Sequence, residues 1–274
     1  MAPQFQGRKI AIVGASGQLG KPMLKALLAQ GVHTITAIQR SDATSTFPSE
    51  VIVKKGDLED ETFLVDVFKG QDSIKPAVRA AAKAGVRWIL PSEFGPDPFA
   101  SKLIEENILL KNKKEIRDFI NELGVSSWIS IAVGPWLDIS LNLGLWGIDP
   151  KARKATIWRS ADAKTSTATI THTSEAAAAV LSLPEADLAK YKNKAIYTPS
   201  FRLSQREILE AVEYDENIKK GDGMAPFIKF YVTHFVEGLG GDFDHKVDAA
   251  ELEKLEKLGL LKDNLEEVIK IALQ

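Results

Sequence analysis

The stretch IAIVGASGQLGKP, residues 10–22, limits the possible folds of this chain more than any other. A short apolar run flows into glycines at 14, 17 and 20, and a helical pattern follows directly. Glycine permits the sharp turn and lets backbone come close to a pyrophosphate, and the free N–H groups at the helix start then hold the anion. Gly14, Ser16, Gly17, Gln18, Leu19 and Gly20 are therefore the expected nucleotide-facing positions. The G-x-x-G-x-x-G spacing differs from the G-x-G-x-x-G form and is the pattern of extended and atypical short-chain dehydrogenases.

Around this turn the first third of the chain alternates strand and helix signals, which implies a parallel sheet covered on both faces. Strands are expected at Lys9–Val13, Thr34–Gln39, Val51–Lys54, Trp88–Leu90 and Trp128–Val133. Helices are expected at Gln18–Gln30, at Asp60–Lys69 closed by Gly70, and at Lys75–Ala84. Only QDSI separates those last two helices, too little for a strand and a return loop. Either the protein has lost a strand and its loop, or a segment is absent from this sequence between Ser73 and Ile74; the otherwise regular pattern favours the second, with a weaker break of the same kind near Tyr214. Further on, short strands at Thr156–Trp158, Thr167–Ile170 and Ala195–Tyr197 mix with helices at Ala249–Leu258 and Asn264–Leu273. The run SQRE, Ser204–Glu207, reads as a capping box. The expected architecture is α/β: a Rossmann-type doubly wound parallel sheet with a smaller C-terminal substrate-binding lobe. Residues 1–155 would form the dinucleotide-binding domain, and 156–274 a mixed region that completes the sheet and forms the lobe.

Composition narrows the chemistry. The chain has 274 residues, a formal charge of −2 and no cysteine, so thiolate catalysis and disulfides are excluded. Its lysines alternate with acids and form no basic stripe, which argues against nucleic acid. The longest apolar stretch, about residues 125–148, is interrupted by Ser126, Ser127, Gly134, Pro135 and Asp138, so it is not a membrane span. No apolar targeting region precedes the first strand. The expectation is a soluble, cytoplasmic protein with a small-molecule substrate.

The second strand ends in IQRSD, without the Asp or Glu that would accept from an NAD ribose 2′-OH. Arg40 stands there instead and suits a 2′-phosphate, so NADP(H) is expected. Asp57, at the end of the third strand, either borders the adenine or simply precedes a helix. The Tyr-x-x-x-Lys pair of short-chain dehydrogenases is absent, because Tyr191, Tyr197, Tyr214 and Tyr231 are followed four residues on by Ala195, Phe201, Ile218 and Phe235. His33, His172, His234 and His245 form no H-x-x-x-H zinc pair, and no G-x-S-x-G elbow occurs. In LLKNKKEIRDFI, residues 109–120, each helical residue advances about 100°. Ile116, Phe119, Ile120 and Leu123 then form the buried stripe. Lys113 lies on its edge, while Lys111 and Lys114 point away.

GASGQLG, IQRS, GDL, WILPSEFG, KKEIRDFI, VGPW and THFVEGLGGDF, in that order, resemble the NmrA-like, isoflavone reductase-like family, its fungal members most. The resemblance implies an atypical short-chain dehydrogenase fold with NADPH at the glycine turn and reduction of phenolic or isoflavonoid-type substrates. It places the family lysine, in a K-x-x-[IV]-R pattern, on Lys113 beside the nicotinamide ribose as proton donor or base. It also sets Trp136 beside the nicotinamide. Ser92, Glu93 and Phe94 fall on the substrate side, as do His234 and Phe235, with loop capping and helix packing as the competing readings. The family also includes regulators that bind dinucleotide without turnover, so an NADP(H) sensor with a protein partner stands as the alternative, and a quinone reductase-like enzyme as a third.

Overall fold

The computed structural model describes residues 5–58, 60, 62–63, 72–74, 78–149, 151–152, 154–157, 161–212, 230–231, 233–235 and 238–272. Strand β1 (Lys9–Val13) lies between β2 (Thr34–Arg40) and β4 (Asp72–Ile74), and β3 (Val51–Gly56) pairs beyond β2. On the other side β4 meets β5 (Trp88–Ile89), which meets β7 (Ser127–Ala132). From the C-terminal half, β11 (Lys194–Tyr197) closes that side, and the two-residue β6 (Phe94–Gly95) also pairs with β7. Every pairing in this eight-stranded sheet is parallel, in the order 3-2-1-4-5-7-11 with β6 off the path. The order reverses beside β1, where open α/β sheets bind ligands at the carboxyl ends of their strands.

Strand β4 corrects one expectation. Asp72–Ile74 pairs with β1 and β5, so QDSI supplies a strand; the return loop expected after it falls on residues 75–77, outside the described residues. Most of the helix expected at Asp60–Lys69, the start of the one expected at Lys75 and the break near Tyr214 lie largely outside the described residues.

Two helices sit against the sheet because of what they can bury. Helix α1 (Gly20–Gln30) inserts Met23, Leu24 and Leu27 and stops at Gly31, where φ is +67°. Beyond α2 (Val78–Lys83) and α3 (Ser101–Glu106) runs α4 (Ile108–Leu123), which carries Lys113. It packs Ile116, Phe119, Ile120 and Leu123 with Trp128, Val86 and Ile89, the stripe expected from sequence.

The C-terminal half departs further. Helix α5 (Leu137–Asn142) leads to a two-stranded ribbon, β8 (Ile148–Asp149) with β9 (Lys154–Ala155). The strand expected at Thr156–Trp158 is displaced to β9. Likewise β10 (Lys164–Thr167) ends before Ile170, which instead opens α6 (Ile170–Leu181). Helix α6 buries Ala176, Ala177, Ala178 and Ala179 completely, and these small side chains join the core cluster that holds α1. The short α7 (Glu185–Leu188) follows, and β12 (Phe201–Ser204) pairs antiparallel with β10 and runs into α8 (Gln205–Val212). The capping box is formed in full: Ser204 N donates to Glu207 Oε2 at 2.8 Å and Glu207 N to Ser204 Oγ at 3.2 Å. Helices α9 (Ala249–Lys257) and α10 (Leu265–Ala272) match their expected places. Among the described residues, no helix is long and apolar enough to cross a membrane.

Candidate functional site

The glycine turn owes its shape to two positions. Gly14 holds φ at +79°, and a Cβ on Gly20 would stand 2.0 Å from the Gly14 carbonyl oxygen. Helix α1 can therefore start against the turn only with glycine at both. Above the turn lies a cavity of about 330 Å³ whose walls include Gly14, Gly17, Leu19, Gly20, Ser92, Phe94, Lys113 and Trp136. These residues come from the carboxyl ends of β1, β5 and β7, from β6 and from α4, widely separated segments gathered at one sheet edge.

Of the three lysines in the α4 motif, Lys114 is exposed and pairs with Asp118 at 2.6 Å, and Lys111 is exposed. Lys113 alone turns inward. A Cβ placed on Gly95 would lie 3.8 Å from its Nζ, so the amine sits against β6 at the cavity wall. Its affinity for a proton is pushed below the ordinary lysine value, chiefly by burial; Glu93 opposes the shift and Arg117 adds to it.

Glu93 and Arg117 form a pair that the sequence reading did not anticipate. Arg117 Nη1 donates to Glu93 Oε1, with both side chains almost wholly enclosed at 6% and 4% exposure. Arg117 also donates to the Pro98 carbonyl at 2.9 Å and lies over the Trp128 ring at 5.7 Å. The Glu93 carbonyl accepts from Ile131 N on β7. Glu93 thus braces the loop beneath Lys113 and does not line the cavity, which corrects its placement on the substrate side. The only sequence signal was the arginine four residues after Lys113, on the same helix and facing the same loop.

The remaining expected residues divide. Ser92, Phe94 and Trp136 line the cavity, and Trp136 Nε1 is a buried donor with no hydrogen-bond partner among the described residues. Phe235 does not line it; its ring meets Trp146 edge-on at 5.4 Å within a separate apolar cluster, so packing explains it. His234 is buried at 1% exposure and does not line the cavity. Gln18, Arg40 and Asp57 are exposed, and Arg40 faces Asp42 at 3.7 Å. Ser16 opens instead on a second cavity of about 530 Å³, which Lys21, Lys25 and the residues Thr44, Ser45 and Thr46 also border. Sequence reasoning did not single out that basic, hydroxyl-rich recess.

This strand–turn–helix with a cavity at the carboxyl edge of the sheet defines a Rossmann-type dinucleotide-binding protein. The chain belongs to the NmrA-like family, whose model matches residues 6–220. A curated relative, the oxidoreductase aprR of Aspergillus flavus, is 29% identical and aligns over 95% of this chain and 97% of its own. That alignment spans 301 positions, more than the 274 residues here, so the relative has residues that this chain lacks. An isoflavone reductase crystal structure shares the fold with a TM-score of 0.69 at 19% identity, over 96% of this chain and 99% of that one. The Citrobacter sp. triphenylmethane reductase complexed with NADP(H) gives 0.66 at 21% identity, over 97% and 100%.

Proposed function

We propose that this chain is an NADPH-dependent reductase of a small aromatic or conjugated substrate, with Lys113 supplying the proton. The observation that carries the reading is the Lys113 amine, held at the wall of the cavity that faces the glycine turn. Family membership and a curated oxidoreductase relative aligned over nearly both whole chains support it.

The residues present fit a nicotinamide dinucleotide. Gly14, Gly17 and Gly20 leave backbone open to a pyrophosphate, and Trp136 lines the same cavity. Arg40 would meet the 2′-phosphate, with Lys21 and Lys25 beside the recess at Ser16 adding positive charge. When bound, the cofactor supplies hydride. The protein's own part is to orient and to move one proton. Trp136 and Phe94 present apolar surface that confines a flat substrate, and Ser92 offers a hydroxyl at the rim. Lys113 Nζ gives its proton to the substrate atom made basic by reduction. Its lowered proton affinity brings that transfer nearer to neutral pH. Residues 156–274 would form the substrate lobe.

Titration with NADPH and NADH, then NADPH oxidation against phenolic and quinone compounds, tests the proposal. The expected result is preference for NADPH and turnover on at least one class. Tight NADPH binding without turnover on any compound would instead indicate a redox-sensing regulator, and a preference for NADH would remove the role given to Arg40.

A further inference from the structure

The loop that follows β2 is tied to the sheet through two of its carbonyls. Gln39 and Lys55 are register partners on the parallel strands β2 and β3, so both side chains leave the sheet on the same face. Gln39 Nε2 donates to the Ser45 carbonyl at 3.2 Å, and Lys55 Nζ donates to the Ala43 carbonyl at 2.6 Å. Backbone bonds close both ends of the loop: Ala43 N donates to the Arg40 carbonyl and Val51 N to the Pro48 carbonyl, each at 3.1 Å. Phe47 packs against the core cluster that holds α1.

The loop forms one wall of the recess of about 530 Å³ beside the glycine turn. Thr44, Ser45 and Thr46 border that recess together with Ser16, Lys21 and Lys25. Hydroxyls that donate and lysines that balance charge suit a phosphate monoester. Thr44, Ser45 and Thr46 are all exposed, so no packing fixes their side chains and their placement depends on the backbone that carries them. Gln39 is buried, and its Oε1 has no hydrogen-bond partner among the described residues. An apolar side chain of the same length would fill that space without leaving an orphan acceptor. The amide is therefore a burden on folding, and the bond it makes goes to the loop.

We propose that Gln39 is a specificity-determining residue for the cofactor: through the Ser45 carbonyl it holds the hydroxyls of Thr44, Ser45 and Thr46 in place for the phosphate monoester on the adenine ribose, beside Arg40. This rests on the reading of the chain as NADPH-dependent. Gln39 does not border the recess, so it is a positioning residue that acts through the loop. NADH carries a hydroxyl at that ribose carbon and gains nothing from an ordered phosphate wall, so the device acts on one of the two cofactors.

Isothermal titration calorimetry of the full-length protein tests this without any substrate, using NADPH, NADH, 2′-AMP and 5′-AMP as probes. The wild type is expected to bind NADPH more tightly than NADH, and 2′-AMP more tightly than 5′-AMP. Gln39→Met should weaken NADPH and 2′-AMP about tenfold, as for one lost charge-assisted hydrogen bond, and leave NADH and 5′-AMP nearly unchanged. Its urea midpoint should not fall, because the orphan acceptor is gone. Equal losses for NADPH and NADH would mean a structural role alone and overturn the proposal. Removing the three hydroxyls together (Thr44→Val, Ser45→Ala, Thr46→Val) should reproduce the selective loss, and adding Gln39→Met should then weaken NADPH little further. Fully additive losses would show that Gln39 acts apart from the loop, which also overturns it. A wild type that prefers NADPH and a Gln39→Met variant that keeps the preference would sink the role of Gln39 alone. A wild type that binds both dinucleotides equally would sink the cofactor reading and this role with it.

Discussion

A lysine amine withdrawn from water holds its proton less tightly, and neighbouring charges decide how far that goes. At Lys113 burial lowers proton affinity and Arg117 lowers it further, while Glu93 works against both. Lys113→Met is therefore expected to cut turnover about 10²- to 10⁴-fold, the usual worth of a positioned acid, while NADPH affinity measured by fluorescence titration stays within a few-fold. Because the donor must be protonated, wild-type activity should fall as pH rises, with the midpoint below the 10.5 of an ordinary lysine. Glu93→Gln probes the support. It leaves the Arg117 guanidinium buried without its partner, a loss of about 3–5 kcal/mol in urea unfolding. It also removes the one charge holding the Lys113 proton, so whatever enzyme folds should show its alkaline limb at lower pH than wild type.

Among the elements, those with local causes could be read from sequence. The glycine turn, the glycine stop after α1, the SQRE box and the apolar stripe of α4 each depend on residues within a few positions of one another. Ser204→Ala, which removes one half of the box, is accordingly expected to cost about 1 kcal/mol by denaturant titration. Elements fixed by distant contacts were not legible. Helix α6 has alanine and other buried residues on nearly every side, so its sequence lacks the polar contrast on which a 3.6-residue period depends. Strand β4 is three residues long and exists because β1 and β5 hold it from both sides. Glu93 and Arg117 lie 24 positions apart and meet only once the loop after β5 folds over α4. The packing explanation for α6 carries its own consequence. Ala178 is fully buried in the cluster shared with α1, so Ala178→Leu should force the layers apart and destabilise the protein by about 1–3 kcal/mol.

Across the whole molecule, burial lowers the proton affinity of two histidines, the half-buried His33 and the buried His234. His33 Nδ1 accepts from Arg8 N at 3.2 Å, so Nε2 carries the proton and donates to Ser182 Oγ at 3.0 Å. This links the start of β1 to the end of α6. Burial, aided by the Arg8 charge, pushes His33 down to about 4. Burial with the Lys113 charge pushes His234 down to about 4, against a raising effect from its bond to Phe230. Between these values and the ordinary 6.5, the unfolded chain binds protons that the folded chain refuses. Stability from both groups is then fully present above about 6.5, declines as pH falls, and is lost by about pH 4. Asp138 and Glu175 run the other way, because burial raises both, so they bind protons more readily when folded. The slope of stability against pH in the wild type alone therefore mixes opposing contributions. The informative quantity is the difference between wild type and His33→Gln, whose amide can keep a hydrogen bond but takes up no proton in this range. Chemical denaturation from pH 7 to pH 4.5 should show the wild type losing more stability than the variant. Parallel curves would mean that His33 binds protons equally in the folded and unfolded chain, and that the Arg8–His33–Ser182 link is no barrier to acid.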